Sequence, residues 1–137
     1  MIEGGALFLS TTNFSPDILQ VCLERNVPLL CGVQSLQESL EAIVNGATHL
    51  KIYPFASIPL KEMKVLISTI RRSHPNTYIV AAGGVTAAHI PNIAELGFDS
   101  IAIGRDLSSD VSLDAIFDDF ECVRNLWEKE KCFRNNQ

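Results

Sequence analysis

Short apolar runs alternate along the chain with stretches whose apolar residues recur every three or four positions. A run bounded by turn residues reads as a buried strand, and the longer spacing reads as one face of a helix. Gly5 to Ser10 predicts the first strand. Ser15 then caps a helix with Pro16 at its first position and Asp17 in its first turn, and Ile18, Leu19, Cys22 and Leu23 recur at helical spacing. Val27 to Cys31 predicts the second strand, followed by Gly32. Ser35 opens the second helix, Glu38 three residues later makes a capping box, and Asn45-Gly46 stops it. His49 to Tyr53 predicts the third strand. Pro59 to Arg72 predicts a long helix with Leu60, Met63, Leu66, Ile67 and Ile70 on one face. Tyr78 to Ala82 is the fourth strand and ends at Gly83-Gly84. A helix from Thr86 through Glu95 stops at Gly97, and Ser100 to Ile103 is the fifth strand, ending at Gly104. A last helix is expected from about Leu113 to Lys131.

Five βα units in uniform alternation imply an α/β fold with parallel strands and right-handed crossovers. Strands with little polar alternation are expected to be covered on both faces. Two architectures satisfy this: an open doubly wound sheet, or part of a (β/α)8 barrel. At 137 residues the chain is too short for a whole barrel, which takes about 250 residues and in compact cases about 200.

Lys51 breaks the pattern. It sits inside the apolar run Leu50-Lys51-Ile52, and an ammonium in an apolar interior must find a partner or lose its proton. A lysine with a depressed pKa is the amine that forms Schiff bases with carbonyl compounds. The alternative is a lysine on a partly open strand with its head in water. The period of two puts His49, Lys51 and Tyr53 on one face and Leu50 and Ile52 on the other. In either architecture ligands bind at the C-terminal ends of strands, where Lys51, Tyr53, Gly83, Gly84 and Gly104 fall. Glycines there let backbone N–H groups approach an anion, although strand-to-helix turns use glycine routinely. Arg105 and Asp106 follow Gly104, as anion contacts or as a surface ion pair. His49, His74 and His89 are scattered and form no triad.

Composition adds limits. The chain is 47% hydrophobic and 20% charged with a net charge of -5, which suits a globular domain and argues against nucleic acid as a partner. Asp110, Asp114, Asp118, Asp119 and Glu121 read as a solvated helix face. Cys22, Cys31, Cys122 and Cys132 have no metal-site spacing and suit small, mostly buried thiols in a reducing compartment. The apolar run Ala6 to Leu9 is too short for a signal peptide, and no stretch approaches a membrane span.

Four motifs carry a resemblance. Lys51-Ile52-Tyr53-Pro54-Phe55-Ala56 resembles the lysine motif of the KDPG/KHG aldolase family, commonly K-F-F-P-A. Pro28-Leu29-Leu30-Cys31-Gly32-Val33 is similar to its I-P-x-x-P-G-[IV] strand, Ala82-Gly83-Gly84-Val85 to its T-G-G-[IV] phosphate loop, and Ile103-Gly104 to its I-G-G-S turn. Order and spacing agree from about Gly5 to Ser109. The resemblance implies a class I aldolase on a (β/α)8 TIM barrel, with this chain supplying about five βα units that match strands four to eight. Residues 1–110 would be the C-terminal part of that barrel and 111–137 a helix and tail. Lys51 would be the Schiff-base lysine, Tyr53 an aromatic wall, and Gly83, Gly84, Gly104 and Arg105 the substrate and phosphate contacts. The substrate would be a 2-keto-3-deoxy sugar acid phosphate or 4-hydroxy-2-oxoglutarate, releasing pyruvate. The resemblance implies a homotrimer and no cofactor or metal, the iminium acting as electron sink. The expected compartment is the cytoplasm, or a plastid if a targeting segment precedes the sequence.

Departures from the family pattern are specific. The first three strands, with a proton-transfer glutamate and a carboxylate-binding arginine, have no counterpart. Ala82 replaces a threonine, Arg105-Asp106 replaces Gly-Ser, Thr11 and Cys31 stand where proline is frequent, and Phe55 lengthens the lysine motif by one residue. Two other readings follow: a truncated, non-catalytic barrel remnant that binds a partner or is a partial gene product, and a different phosphate-binding barrel of the thiamine-phosphate synthase type. An incomplete barrel, with its open edges, is expected to associate and to turn over slowly.

Overall fold

Ser35 shows how the chain enters its helices. Its hydroxyl accepts from the Glu38 N–H at 3.2 Å, while the Glu38 carboxylate accepts from the Gln34 N–H at 2.8 Å, one residue earlier than in the usual reciprocal box. A computed structural model describes residues 5–103, 121, 124–129 and 132. Its elements are β1 (Leu9–Ser10), α1 (Pro16–Glu24), β2 (Leu29–Val33), α2 (Leu36–Val44), β3 (His49–Ile52), α3 (Leu60–Ser73), β4 (Tyr78–Ala82), α4 (Ile90–Leu96) and β5 (Ser100–Ala102). Short 3-10 turns occupy Phe55–Ser57 and Ala87–His89.

The five strands are all parallel, in the order β1-β2-β3-β4-β5. Sequential order without a reversal excludes the doubly wound alternative, which needs a switch point. The sheet is a curled half-barrel with its helices in one layer: α1 and α2 pack on β2, α2 on α3, and α3 on α4. Register pairs Cys31 with Leu50, Gly32 with Lys51, Lys51 with Val80 and Ile52 with Ala81. Paired residues share a face, so Cys31, Val33, Leu50, Ile52, Ile79 and Ala81 all point to the helices and are fully buried. They meet Met63, Leu66, Ile67 and Ile70, the buried stripe of α3. Each Val, Leu, Ile or Met side chain among them contributes roughly 1.5–3 kcal/mol on burial.

The opposite face is different. Val80 and Ala82 are buried there, Lys51 is half-buried, and Ser10, His49 and Tyr78 are exposed. Among the described residues, helices cover one face only, which corrects the expectation of cover on both.

Strand limits also move, most of all in the first strand, which covers only Leu9–Ser10 of the expected Gly5 to Ser10. The second strand begins at Leu29 and runs through Gly32 to Val33. Asn26 adopts a left-handed φ of 52°, and the Val27 N–H closes on the Cys22 carbonyl at 2.9 Å, so Val27 finishes the helix rather than starting the strand. Pro91 lies in the first turn of α4, where its missing N–H costs nothing, so the segment from Thr86 starts as a 3-10 turn and becomes helix at Ile90. The final helix appears in the described residues at 124–129. Its start, the 110 boundary and the aspartate cluster lie outside them.

The N-terminal ends of the strands are clamped by Arg71. Its guanidinium donates to the carbonyls of Gly97 (2.7 Å) and Thr77 (2.6 Å) and pairs with Asp99, whose carboxylate also accepts from the Ile79 N–H at 2.7 Å. One side chain thus joins α3 to the starts of β4 and β5.

Candidate active site

Lys51 projects from the concave face near the C-terminal end of β3. Its Nζ donates to the Ser10 hydroxyl on β1 at 2.8 Å, although 41 residues separate the two. Adjacent strands stand about 4.8 Å apart, so this bond spans the width of β2. Gly32, level with Lys51 on β2, has no side chain in that path. A Cβ at Gly32 would lie 2.4 Å from the Thr12 carbonyl carbon and 2.5 Å from the Thr11 oxygen, so the turn after β1 sits directly on the glycine. The Gly32 N–H is bonded to the Thr11 hydroxyl at 3.0 Å, and the Thr11 N–H to the Leu30 carbonyl at 3.1 Å. These bonds fix the end of β1 and with it Ser10.

Tyr53 stands on the other side of the lysine. Its ring centroid is 5.3 Å from Nζ, within cation–π range. The same ring packs against Gly83: a Cβ there would meet two ring carbons and the Pro54 Cα at 2.9 Å. Gly84 is closed in similarly by the Ala56 methyl, at 2.6 Å from a notional Cβ. Both glycines have positive φ, 86° and 74°, and the Ala56 N–H donates to the Gly83 carbonyl at 3.0 Å. The turns after β3 and β4 therefore form one interlocked unit, and this packing alone requires glycine at 83 and 84.

Burial lowers the Lys51 pKa from the usual lysine range, and the charge of a Cys31 thiolate would act in the opposite sense. Among the described residues no carboxylate pairs with the lysine. Burial pushes the Cys31 thiol up to about 11; the Thr11 hydroxyl opposes the rise, Glu38 adds to it and Lys51 opposes it. The thiol is therefore neutral at physiological pH and inert toward the lysine. The arrangement supplies a half-buried amine, with an aromatic wall and a hydroxyl partner, whose neutral form is more accessible than that of a surface lysine.

The predicted residues Lys51, Tyr53, Gly83 and Gly84 are thus brought together. Gly104 and Arg105 lie outside the described residues. His49 is exposed and stacks near Tyr78 at 5.4 Å, and His89 accepts from the Thr86 N–H at 3.1 Å; neither reaches Lys51. Among the described residues no cluster of metal-ligating side chains occurs, and no helix is long and apolar enough to cross a membrane. A groove of about 500 Å³ between α2 and α3, lined in part by Gln34, Ile58, Lys61 and Val65, lies on the helix side of the sheet, away from the lysine. Sequence reasoning missed Ser10, Thr11 and Gly32. The only signal for Ser10 was a hydroxyl at the end of a predicted strand.

A family model described as KDPG and KHG aldolase matches residues 1–118. The 2-dehydro-3-deoxy-phosphogluconate aldolase of Treponema pallidum (strain Nichols) is 29% identical over 91 residues, which are 66% of this chain and 40% of that protein. A cube-shaped, highly porous protein cage designed by fusing symmetric oligomeric domains superposes with a TM-score of 0.85 at 18% identity, over 98% of this chain and 49% of that one. A structure described as native KDPGal superposes with a TM-score of 0.82 at 19% identity, over 93% and 61%. At such identities the superpositions establish the fold. The chain spans 40% of the length of the curated relative and 49% and 61% of the two solved chains.

Proposed function

The chain belongs to the KDPG and KHG aldolase family, and from that premise we propose that Lys51 is the amine of a Schiff-base aldolase site. The observation that carries this reading is the half-buried lysine on the concave face, its pKa lowered by burial and no described carboxylate holding its proton. The neutral amine adds to the keto carbon of a 2-keto acid, and the carbonyl oxygen takes up a proton. The carbinolamine then loses water to give an iminium. Cleavage of the bond between carbons 3 and 4 leaves its electron pair in the iminium system as an enamine, and the C4 hydroxyl gives up its proton as the aldehyde forms. Protonation of the enamine and hydrolysis release pyruvate and restore Lys51.

The substrate fits as a 2-keto-3-deoxy sugar acid phosphate or 4-hydroxy-2-oxoglutarate. Tyr53 walls the pocket beside the amine. Gly83 and Gly84 supply a turn for the phosphate, with Gly104 and Arg105 as the further contacts that follow β5 in the sequence. The five βα units correspond to strands four to eight of a (β/α)8 barrel, and a homotrimer is the assembly in keeping with the family. Incubation with pyruvate and borohydride, followed by peptide mapping, is expected to place the adduct on the Lys51 peptide. Labelling elsewhere with Lys51 untouched would sink the assignment.

A second reading has its own observation. The concave face exposes His49 and Tyr78, and the resemblance provides no counterpart of the proton-transfer glutamate. On that reading the 137-residue chain is a non-catalytic remnant that associates through its open face and edges. Size-exclusion chromatography with a coupled pyruvate-release assay separates the two: adduct formation with turnover supports the aldolase, and neither supports the remnant.

A further inference from the structure

We propose that Ser10 is the positioning residue for the Lys51 amine, holding Nζ in one orientation so that its lone pair faces the open concave side. The proposal rests on the Schiff-base reading of Lys51. Three observations carry it. The Nζ–Oγ distance of 2.8 Å is a full hydrogen bond between strands that are not neighbours. Ser10 pairs with Leu30 and Lys51 with Gly32, so all four share the concave face. The end of β1 is itself fixed to β2 by the Thr11 bonds, 3.0 Å from the Gly32 N–H and 3.1 Å to Leu30. The hydroxyl is therefore presented from a set position rather than from a loose loop.

The chemistry favours a hydroxyl over a charged partner. An ammonium can only donate, and the serine oxygen accepts from it. A neutral amine still has N–H groups to donate and now a lone pair as well. Serine can keep accepting from one N–H while the lone pair points elsewhere, so the same contact serves both protonation states. A carboxylate at that position would stabilise the ammonium and hold the nucleophile in its inert form. A lysine side chain has many rotamers, and one anchor at its tip removes most of that freedom before the ketone arrives.

Around Lys51 the titratable groups among the described residues are Cys31 on β2, His49 and Tyr53 along its own strand, and Tyr78 on β4. None of them contacts Ser10 in the described hydrogen bonds, so a change at Ser10 reads on the lysine.

The test is the pH profile of Lys51 in the full chain, measured in two ways. Borohydride trapping with pyruvate reads iminium formation, and competitive labelling with acetic anhydride reads the amine's own protonation without any substrate. Ser10→Ala is expected to lower the plateau of the trapping rate at alkaline pH by roughly three- to tenfold, the order expected when one rotamer-rich side chain loses its anchor. It should also move the labelling profile to lower pH, since the ammonium loses an acceptor. Ser10→Thr keeps the hydroxyl and should restore both. Ser10→Asp should move both profiles to higher pH. Because Ser10 is exposed, these variants are expected to fold. An unchanged plateau and unchanged labelling profile in Ser10→Ala would overturn the proposal. If the wild-type chain gives no pyruvate adduct, the Schiff-base reading fails by itself; a labelling profile that still shifts shows that Ser10 sets the amine's protonation, and one that does not shift refutes Ser10 as well.

Discussion

Replacing Gly32 with alanine tests how the lysine site is assembled. Gly32 has no positive φ, so its demand is for space and not for conformation. The added methyl would lie 2.4 Å from the Thr12 carbonyl carbon and 2.5 and 2.7 Å from the Thr11 and Thr12 oxygens. Ordinary contact begins near 3.4 Å, so the backbone after β1 must retreat by about 1 Å. All three obstacles are backbone atoms and cannot rotate away. Overpacking of this kind typically costs about 1–3 kcal/mol. The retreat also stretches the Thr11–Gly32 bond, now 3.0 Å, which adds about 0.5–1.5 kcal/mol. The expected destabilisation is therefore about 2–4 kcal/mol, measured by urea unfolding followed by circular dichroism. Moving β1 also carries Ser10 from Lys51, so pyruvate trapping should slow in the folded variant. A Gly32→Ala chain within 0.5 kcal/mol of wild type, with normal trapping, would refute this account of the β1 turn.

Three further outcomes are expected. Cys31 is neutral and buried when folded, with its pKa raised to about 11, so the folded state holds a proton that the unfolded state releases first. The stability it contributes is full below the unfolded thiol's pKa and is lost as pH rises towards 11, by at most about 2–3 kcal/mol; Cys31→Val should flatten that part of the pH–stability curve, and an identical curve would refute the assignment. Gly84→Ala combines a φ of 74° with a 2.6 Å overlap on Ala56 and should lower stability by about 2–3 kcal/mol. Adding Ala56→Gly should recover only the overlap; full recovery would show that the backbone conformation is not strained. Asp99→Asn weakens the Arg71 clamp and should cost about 1–2 kcal/mol in thermal or urea unfolding, while the Lys51 pH profile, at the other end of the strands, stays where it was.

Much of this fold was readable because its signals are local. The period of two placed Lys51 opposite Leu50 and Ile52, and Ser35 with Glu38 marked the start of α2. Five parallel strands followed from the alternation. The errors have local causes too: the left-handed Asn26 ends α1 and ties the apolar Val27 into its C-terminal cap, and a glycine in the right setting, Gly32, continues a strand instead of ending it. What the sequence withheld is lateral. Periodicity assigns a residue to a face but not to a register, so nothing local could bring Ser10 to a lysine 41 residues away. The Arg71–Asp99 clamp is hidden for the same reason, since its partners sit in different elements 28 residues apart. The glycine pair was legible as a turn, but the side chains that demand it, Tyr53 and Ala56, belong to the preceding unit.

The bond between the Ala56 N–H and the Gly83 carbonyl, together with the Tyr53 ring against Gly83, makes the lysine's wall and the glycine turn a single mechanical piece. Whatever displaces one must displace the other. Linkage then works in both directions: a ligand that steadies the Gly83–Gly84 turn also steadies the ring beside Lys51, and an adduct on Lys51 that presses on the ring alters affinity at the turn by the same factor. If the proposed site holds, the two ends of a long ligand would thus be sensed jointly, and a molecule long enough to span both would gain more than the sum of its fragments.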